Sequence, residues 1–282
     1  MIQIIECPRD AMQGWPHEIP TTKKINYLNA LLQVGFDTLD FGSFVSPRAI
    51  PQMADTAKVL EGLDIQNTQT KLLAIIANVR GAEEAATHEE ITYLGFPFSI
   101  SAEFQQRNTG STPLESIARI DAIQNICVQK NKQLVVYLSM AFGNPYGDEY
   151  NEEILMKWAS EMASRNISII SLADTVGLAS PEQIRLALEA LIPKYPEISI
   201  GVHLHSSAKN KLEKLEAAWQ AGCKRFDGAL KGYGGCPMAQ DDLVGNMPTE
   251  FMINYFESKN VPLSIDREKL NECLGMAVEI FS

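Results

Sequence analysis

Residues 198–230 read ISIGVHLHSSAKNKLEKLEAAWQAGCKRFDGAL. Ile198–His205 is an apolar run of strand length, and Ala208–Ala221 carries apolar residues at three-and-four spacing. Arg225–Leu230 is a second short run. Ala221-Gly222 separates helix from strand, with a glycine able to take the left-handed cap conformation. A strand, an amphipathic helix and another strand make one βαβ unit, the building block of a parallel sheet covered by helices.

The same alternation runs through the rest of the chain. Runs rich in Val, Ile, Leu and Phe occupy Ile2–Cys7, Thr38–Gly42, Lys71–Asn78, Tyr93–Ile100, Gln133–Met140 and Ser168–Ala173. Helical spacing occupies Thr22–Gln33, Pro51–Glu61, Glu115–Gln129, Asn151–Ser164 and Pro181–Leu191. Ser180-Pro181-Glu182 places a capping hydroxyl before a proline at the first helical position, and Thr112-Pro113 does the same. Eight strands in 282 residues, with no linker or low-complexity break, predict a single domain. The expected fold is α/β: a (β/α)₈ TIM barrel over about residues 1–260, with an extra C-terminal helix over Ile265–Phe281. An open doubly wound sheet usually carries a Gly-rich phosphate loop after its first strand, where this chain has Pro8-Arg9-Asp10.

Composition narrows the function classes. A chain 45% hydrophobic and 21% charged is not a disordered chain, a collagen or a coiled coil. Lys+Arg 24 against Asp+Glu 35 gives a net charge of −11 with no basic block, which argues against a nucleic-acid partner. No apolar run reaches the length of about 18–20 residues that a membrane span needs. The first ten residues look like neither a signal nor a transit peptide. Five scattered cysteines without a CxxC pair suggest neither a disulfide scaffold nor a structural zinc site, and fit a reduced, cytoplasmic compartment.

In such a barrel the chemistry lies at the carboxyl ends of the strands. Arg9-Asp10 follows the first strand, where a carboxylate beside a guanidinium could bind a metal and an anion together; the alternative is an ordinary surface turn. His203 and His205 are two apart on strand seven, so both imidazoles face the same way, toward the mouth, and suit a divalent metal. His17 and His88, in a loop and a helical stretch, read as solvated. Lys231-Gly232-Tyr233-Gly234-Gly235-Cys236-Pro237 follows strand eight as a loop able to close over a substrate, with Cys236 at its tip and Asn246 soon after as another hard ligand. Asp40 and Gly42 share a face at the end of strand two. Tyr137-Leu138-Ser139 ends strand five. Ser171 and Ala173 share a face on strand six, and Asp174 opens its loop.

Assembled in order, these pieces resemble the hydroxymethylglutaryl-CoA lyase family, within the metal-dependent aldolase-type barrels. The resemblance is carried by Pro8-Arg9-Asp10-Ala11-Met12-Gln13, Ser43-Phe44-Val45-Ser46-Pro47-Arg48, Ser171-Leu172-Ala173-Asp174-Thr175-Val176-Gly177, Val202-His203-Leu204-His205, and Gly234-Gly235-Cys236-Pro237-Met238-Ala239-Gln240 with Gly245-Asn246. It implies a lyase cleaving (3S)-3-hydroxy-3-methylglutaryl-CoA to acetyl-CoA and acetoacetate. Asp10, His203, His205 and Asn246 would hold a divalent cation, Mg²⁺ or Mn²⁺. Arg9 would face the thioester oxygen and Cys236 would be the acid. Asp40 stands at the position of an acidic residue used near the reacting centre. Gln13, Ser43, Tyr137, Ser171, Asp174, Gly234 and Gly235 would contact the CoA-thioester substrate.

The chain departs from the family pattern at Cys7 (commonly Gly), Asp40 (typically Glu) and Ser206 (usually Asp), and lacks a basic residue soon after Gln13. These departures spare the metal ligands and bear on CoA contacts and on the substrate. A lyase for another 3-hydroxyacyl-CoA therefore stays open. A Claisen-type synthase shares the Arg-Asp and His-x-His elements but fits the Gly-Gly-Cys-Pro loop poorly, and a non-catalytic barrel would show no metal dependence. Barrels of this type often pair, and Ile265–Phe281 could serve a homodimer interface.

Overall fold

Eight parallel strands pair in chain order, and the last closes on the first. They are β1 (Gln3–Glu6), β2 (Thr38–Ser43), β3 (Lys71–Ile75), β4 (Ile91–Ser99), β5 (Gln133–Ser139), β6 (Ile169–Asp174), β7 (Ser199–Leu204) and β8 (Arg225–Gly228). The TIM barrel read from the alternation is the fold, with each strand at its expected place. The computed structural model describes residues 1–235 and 244–282.

Around the barrel lie α1 (Pro8–Gln13), α2 (Thr21–Leu32), α3 (Thr56–Glu61), α4 (Val79–Ala85), α5 (Ala102–Thr109), α6 (Pro113–Gln129), α7 (Glu152–Ala163), α8 (Pro181–Lys194), α9 (Lys211–Gln220), α10 (Thr249–Ser258) and α11 (Arg267–Ile280). The capping chemistry is as expected. Thr112 with Glu115, and Ser180 with Gln183, form reciprocal capping boxes with a proline at the helix start. The C-terminal helix α11 packs on α2, outside the repeating pattern. Gly35 makes this approach feasible: its φ is +92°, and a Cβ there would lie 2.2 Å from the Ser264 carbonyl oxygen. Among the described residues no helix is long and apolar enough to cross a membrane.

Four helices lacked a readable apolar stripe or went unread. α4 buries only Gly81, Ala82 and Ala85, so small side chains replace the large apolar ones that make a periodicity visible. α5 buries Phe104 and Gln105 in an otherwise polar run. α10 buries Met252, Ile253, Tyr255 and Phe256, a helical spacing present in the sequence. The fourth is α1, which rules out the alternative reading of Pro8-Arg9-Asp10 as a surface turn: both Arg9 and Asp10 are 7% exposed. Pro51–Glu61, expected as one helix, divides into a 3₁₀ turn at Pro51–Met53 and α3. His88 lies after α4 rather than within a helix, half-buried with its ring 5.4 Å from Phe44.

The main core fills the space between strands and helices. A second cluster of Leu73, Tyr93, Val135, Tyr137 and Ile169 fills part of the barrel interior. Polar and charged side chains occupy the interior too, with Asp40, His203, Arg225 and Asp227 all buried. A β-bulge between Asp40 and Gly42, against β3, breaks the alternation of β2. Asp40 and Gly42 therefore do not share a face: a Cβ on Gly42 would meet Thr56 of α3, outside the barrel, at 2.6 Å. The bulge turns Ser43 to the mouth instead, where it lines the cavity described next.

Candidate active site at the carboxyl ends of the strands

Helix α1 begins immediately after β1, so Arg9 and Asp10 enter the mouth of the barrel as buried side chains. Arg9 grips Asp40 at the end of β2: Nε donates to Oδ1 at 3.2 Å and to Oδ2 at 3.0 Å, and Nη2 donates to Oδ2 at 2.5 Å. Its Nη1 donates to Asp10 Oδ1 at 3.1 Å. Gln13, one turn on, donates to the same Asp10 oxygen at 2.8 Å. Asn246 Nδ2 donates to the other, Oδ2, at 2.7 Å and to the Tyr233 carbonyl at 2.9 Å.

On the far side of Asp10 stand the two imidazoles of the β7 end. Ligand-capable atoms of Asp10, His203 and His205 all lie within 4.8 Å of one another, and all three residues are buried. The segment carrying Asn246 runs back along β7. His205 and Asn246 form an antiparallel bridge, and Met247 N–H donates to the Leu204 carbonyl at 3.0 Å. Among the described residues this leaves Asn246 Oδ1 buried without a hydrogen-bond partner, beside the carboxylate and the imidazoles. Two imidazole nitrogens, one carboxylate and one orphaned amide oxygen form a donor set that fits a hard or borderline divalent cation.

The electrostatics of Asp10 and His205 agree with ligation. Burial pushes the Asp10 carboxyl up, but Arg9, then His203 and His205, overcome it and hold Asp10 below the ordinary carboxylate range. Burial and the neighbouring His203 push His205 down to about 4, so its ring is neutral at pH 7 with a lone pair free. Burial raises Asp40 to about 6 against the opposing pull of Arg9. Burial also works to lower His203, but its contact with Asp227 and the charges of Asp10 and Asp227 raise it above the usual imidazole value.

These groups open onto a cavity of about 730 Å³ lined by Arg9, Asp10, Gln13, Ser43, Tyr137, Thr175, His203 and His205. Arg80 and Arg119 line it too, so cations face a cavity in a chain of net charge −11. Two expected substrate contacts lie elsewhere. Ser171 is buried within the barrel, with its hydroxyl 3.5 Å from Asp227 Oδ2. Asp174 points out of the barrel wall and pairs with Lys214 at 2.6 Å. Gly234 sits over α1: a Cβ there would approach Ala11 Cα and Asn246 Nδ2, each at 2.8 Å, and its φ is +94°. Gly235 is buried beside it, also at positive φ. Cys236 lies outside the described residues.

A family model described as HMGL-like matches residues 2–276. The chain belongs to that family. It is 32% identical to hydroxymethylglutaryl-CoA lyase YngG of Bacillus subtilis, over 93% of this chain and 87% of the relative. It is 28% identical to (R)-citramalyl-CoA lyase of Chloroflexus aurantiacus, over 93% of this chain and 85% of that one. An HMG-CoA lyase from Acinetobacter baumannii, solved in complex with coenzyme A and 3-methylmalate, superposes with a TM-score of 0.92 at 30% identity. That match covers 100% of this chain and 91% of the other.

Some buried groups around the site of this HMGL-like chain escaped the sequence reading. Asp227 and Arg225 are two apart on β8, so strand alternation alone puts both on one face. Lys214 was concealed because it sits on the apolar side of α9, where a leucine would be expected; it is fully buried. Glu6, in β1, is also fully buried, and accepts from Leu230 N–H at 2.9 Å and Thr249 Oγ1 at 2.5 Å. It ties β1 to the base of the glycine loop.

Proposed function

We propose that this protein cleaves 3-hydroxy-3-methylglutaryl-CoA to acetyl-CoA and acetoacetate, with the whole chain, residues 1–282, acting as one catalytic domain. The observation that carries the reading is the convergence of Asp10, His203 and His205, with Arg9 beside them, in one cavity at the strand ends. The kinship with hydroxymethylglutaryl-CoA lyases supports it.

Asp10, His203, His205 and Asn246 would hold a divalent cation, Mg²⁺ or Mn²⁺. When bound, such a cation lowers the pKa of a coordinated hydroxyl, which makes loss of the tertiary hydroxyl proton feasible at neutral pH.

Arg9 supplies the electrostatic half of the chemistry. Of its five N–H donors, Nε and one on each terminal nitrogen are engaged by Asp40 and Asp10. One N–H on each terminal nitrogen is left for the thioester oxygen, on which negative charge grows as the carbon–carbon bond breaks. The grip of Asp40 fixes the guanidinium plane before substrate arrives, so little reorganisation accompanies the reaction. Cys236 would return a proton to the acetyl carbon. Gln13, Ser43 and Tyr137 line the space around the acyl group, and Arg80 and Arg119 offer positive charge to an anionic thioester.

The similarity to a citramalyl-CoA lyase supports a second reading, the same bond cleavage on a citramalyl thioester. Both are tested by incubating the protein with each thioester and following acetoacetate and acetyl-CoA, with and without EDTA. Acetoacetate formed only when cation is present, and restored by added Mg²⁺ or Mn²⁺, is the expected result. Faster release of acetyl-CoA from the citramalyl thioester would move the assignment to the second reading. Full turnover by chelator-stripped protein would overturn the metal assignment.

A further inference from the structure

Beneath the cavity floor lies a polar cluster that the proposed reaction does not use. Arg225 and Asp227 project inward from β8, with side chains 2% and 0% exposed. Asp227 Oδ2 lies 3.4 Å from His203 Nδ1 and 3.5 Å from the Ser171 hydroxyl, and Oδ1 lies 3.9 Å from Arg225 Nη2. The Tyr137 ring stands edge-on to His203 at 6.0 Å. Gly201 gives the arginine its room, since a Cβ there would come within 2.9 Å of Arg225 Cγ.

A buried carboxylate in a barrel interior is costly unless a partner answers its charge. Asp227 has two. Arg225 balances its charge but stands too far away for a good hydrogen bond. The nearer group is His203, and the nitrogen it turns to Asp227 is Nδ1, at 3.4 Å, within reach of a hydrogen bond that a small shift of the ring would close. That leaves Nε2 for the side of the ring facing Asp10 and His205. An imidazole ligates through a bare nitrogen, so the proton of the neutral ring must sit on the other one.

Resting on the metal-site reading above, we infer that Asp227 is a positioning residue. It stands opposite His203 Nδ1 as the acceptor for the Nδ1 proton, which fixes the tautomer and ring orientation that presents Nε2 to the cation, and the Arg225 guanidinium answers its charge. An amide at position 227 can donate to Nδ1, a contact that favours the opposite tautomer. Groups that orient metal-binding histidines are typically worth about 10–100-fold in metal affinity.

The test reads cation binding in the full chain, not turnover. Chelator-treated wild-type, Asp227→Asn and Ser171→Ala proteins are titrated with Mn²⁺ and free ion is counted by electron paramagnetic resonance. Thermal midpoints report whether each variant is folded. The expected result is a Kd about 10–100-fold weaker for Asp227→Asn and a change under threefold for Ser171→Ala. Should Asp227→Asn fail to fold, nitrogen-15 NMR of histidine-labelled, Mg²⁺-loaded wild type decides: the proton of His203 is expected on Nδ1. A Kd within threefold of wild type for folded Asp227→Asn, or a proton on Nε2, overturns the inference while leaving the metal site standing. Wild type that binds no Mn²⁺ overturns both.

Discussion

Lys214, on helix α9, forms a fully buried ion pair with Asp174 at the end of β6, Nζ to Oδ2 at 2.6 Å, each side chain 1% exposed. The same ammonium donates to the Gly177 carbonyl at 3.1 Å and to the His205 carbonyl at 2.9 Å. One side chain thus joins the β6 loop, the β7 end and the helix that follows, and fixes the backbone of a candidate metal ligand. Asp174, expected to meet substrate, instead anchors this joint and accepts Ala179 N–H at 3.0 Å.

Lys214→Met is therefore expected to destabilise the protein strongly. It strands the Asp174 carboxylate in the protein interior, a situation that costs about 3–5 kcal/mol. The double variant Lys214→Met/Asp174→Asn removes the stranded charge and recovers part of that loss. Urea denaturation of both variants measures the coupling. A single-variant loss below about 1 kcal/mol, the scale of an exposed pair, would show that the joint carries little.

Glu6 predicts a pH dependence of stability. Burial lifts its pKa from 4.5 to about 8, with the hydrogen bonds from Thr249 and Leu230 pulling the other way. The folded state thus holds this proton more tightly than the unfolded chain. Its contribution is fully present below pH 4.5 and is lost as pH rises toward 8. Across that window the slope approaches, at most, about 1.4 kcal/mol per pH unit. Glu6→Gln mimics the protonated carboxyl: its oxygen accepts from Leu230 and its amide donates to Thr249. The difference in unfolding free energy, variant minus wild type, is expected to grow in the variant's favour from pH 5 to pH 8. A difference that stays flat with pH would mean that Glu6 is ionised throughout.

The barrel was legible because each strand is a short apolar run and the intervening segments carry helical spacing; β7, α9 and β8 together define the unit. The meeting of Arg9, Asp10, His203 and His205 was legible because strand ends converge in this fold, and the place of Asn246, beyond β8, among them was reached through the resemblance. What was not legible depended on contacts between distant segments. The bulge at Asp40/Gly42, which turns Ser43 to the cavity, is a pairing irregularity against β3 that no local composition marks. The pairing of Asp174 with Lys214 joins residues 40 apart in sequence. Helix α4, built on glycine and alanine, packs too closely for large apolar residues and so shows no stripe.

Gly234 tests how tightly the glycine loop is fitted to the metal ligands. An added Cβ would meet backbone on α1, Ala11 Cα at 2.8 Å and the Asp10 carbonyl oxygen at 2.9 Å, as well as Asn246 Nδ2. Gly234→Ala is expected to displace Asp10 or Asn246 and to lower kcat/KM by about 100-fold, the effect of misplacing a site by roughly 1 Å. Gly110 is the control. It also has positive φ, +62°, but none of the described residues comes within 4 Å of its added Cβ. Gly110→Ala should cost only about 1 kcal/mol of backbone strain and leave kcat/KM unchanged. Equal losses of activity in the two variants would mean that left-handed backbone strain, not crowding of the ligands, explains the effect.

Arg9→Lys separates charge from geometry. The guanidinium makes a three-contact grip on Asp40 through Nε and Nη2 and still reaches Asp10 through Nη1. An ammonium keeps the positive charge but cannot hold a planar fork against Asp40 while presenting further donors to a thioester oxygen. Asp40, 1% exposed, would lose its bidentate partner. If the fixed orientation of Arg9 is what stabilises charge on that oxygen, kcat falls by about 10²–10³-fold, the range for loss of one oriented oxyanion donor. KM for the CoA thioester should change far less, because the stabilised charge develops only as the bond breaks. Steady-state kinetics with 3-hydroxy-3-methylglutaryl-CoA at saturating Mg²⁺ supplies both numbers. A variant that keeps wild-type kcat, or that loses activity wholly through KM, would assign Arg9 to ground-state binding of the substrate instead.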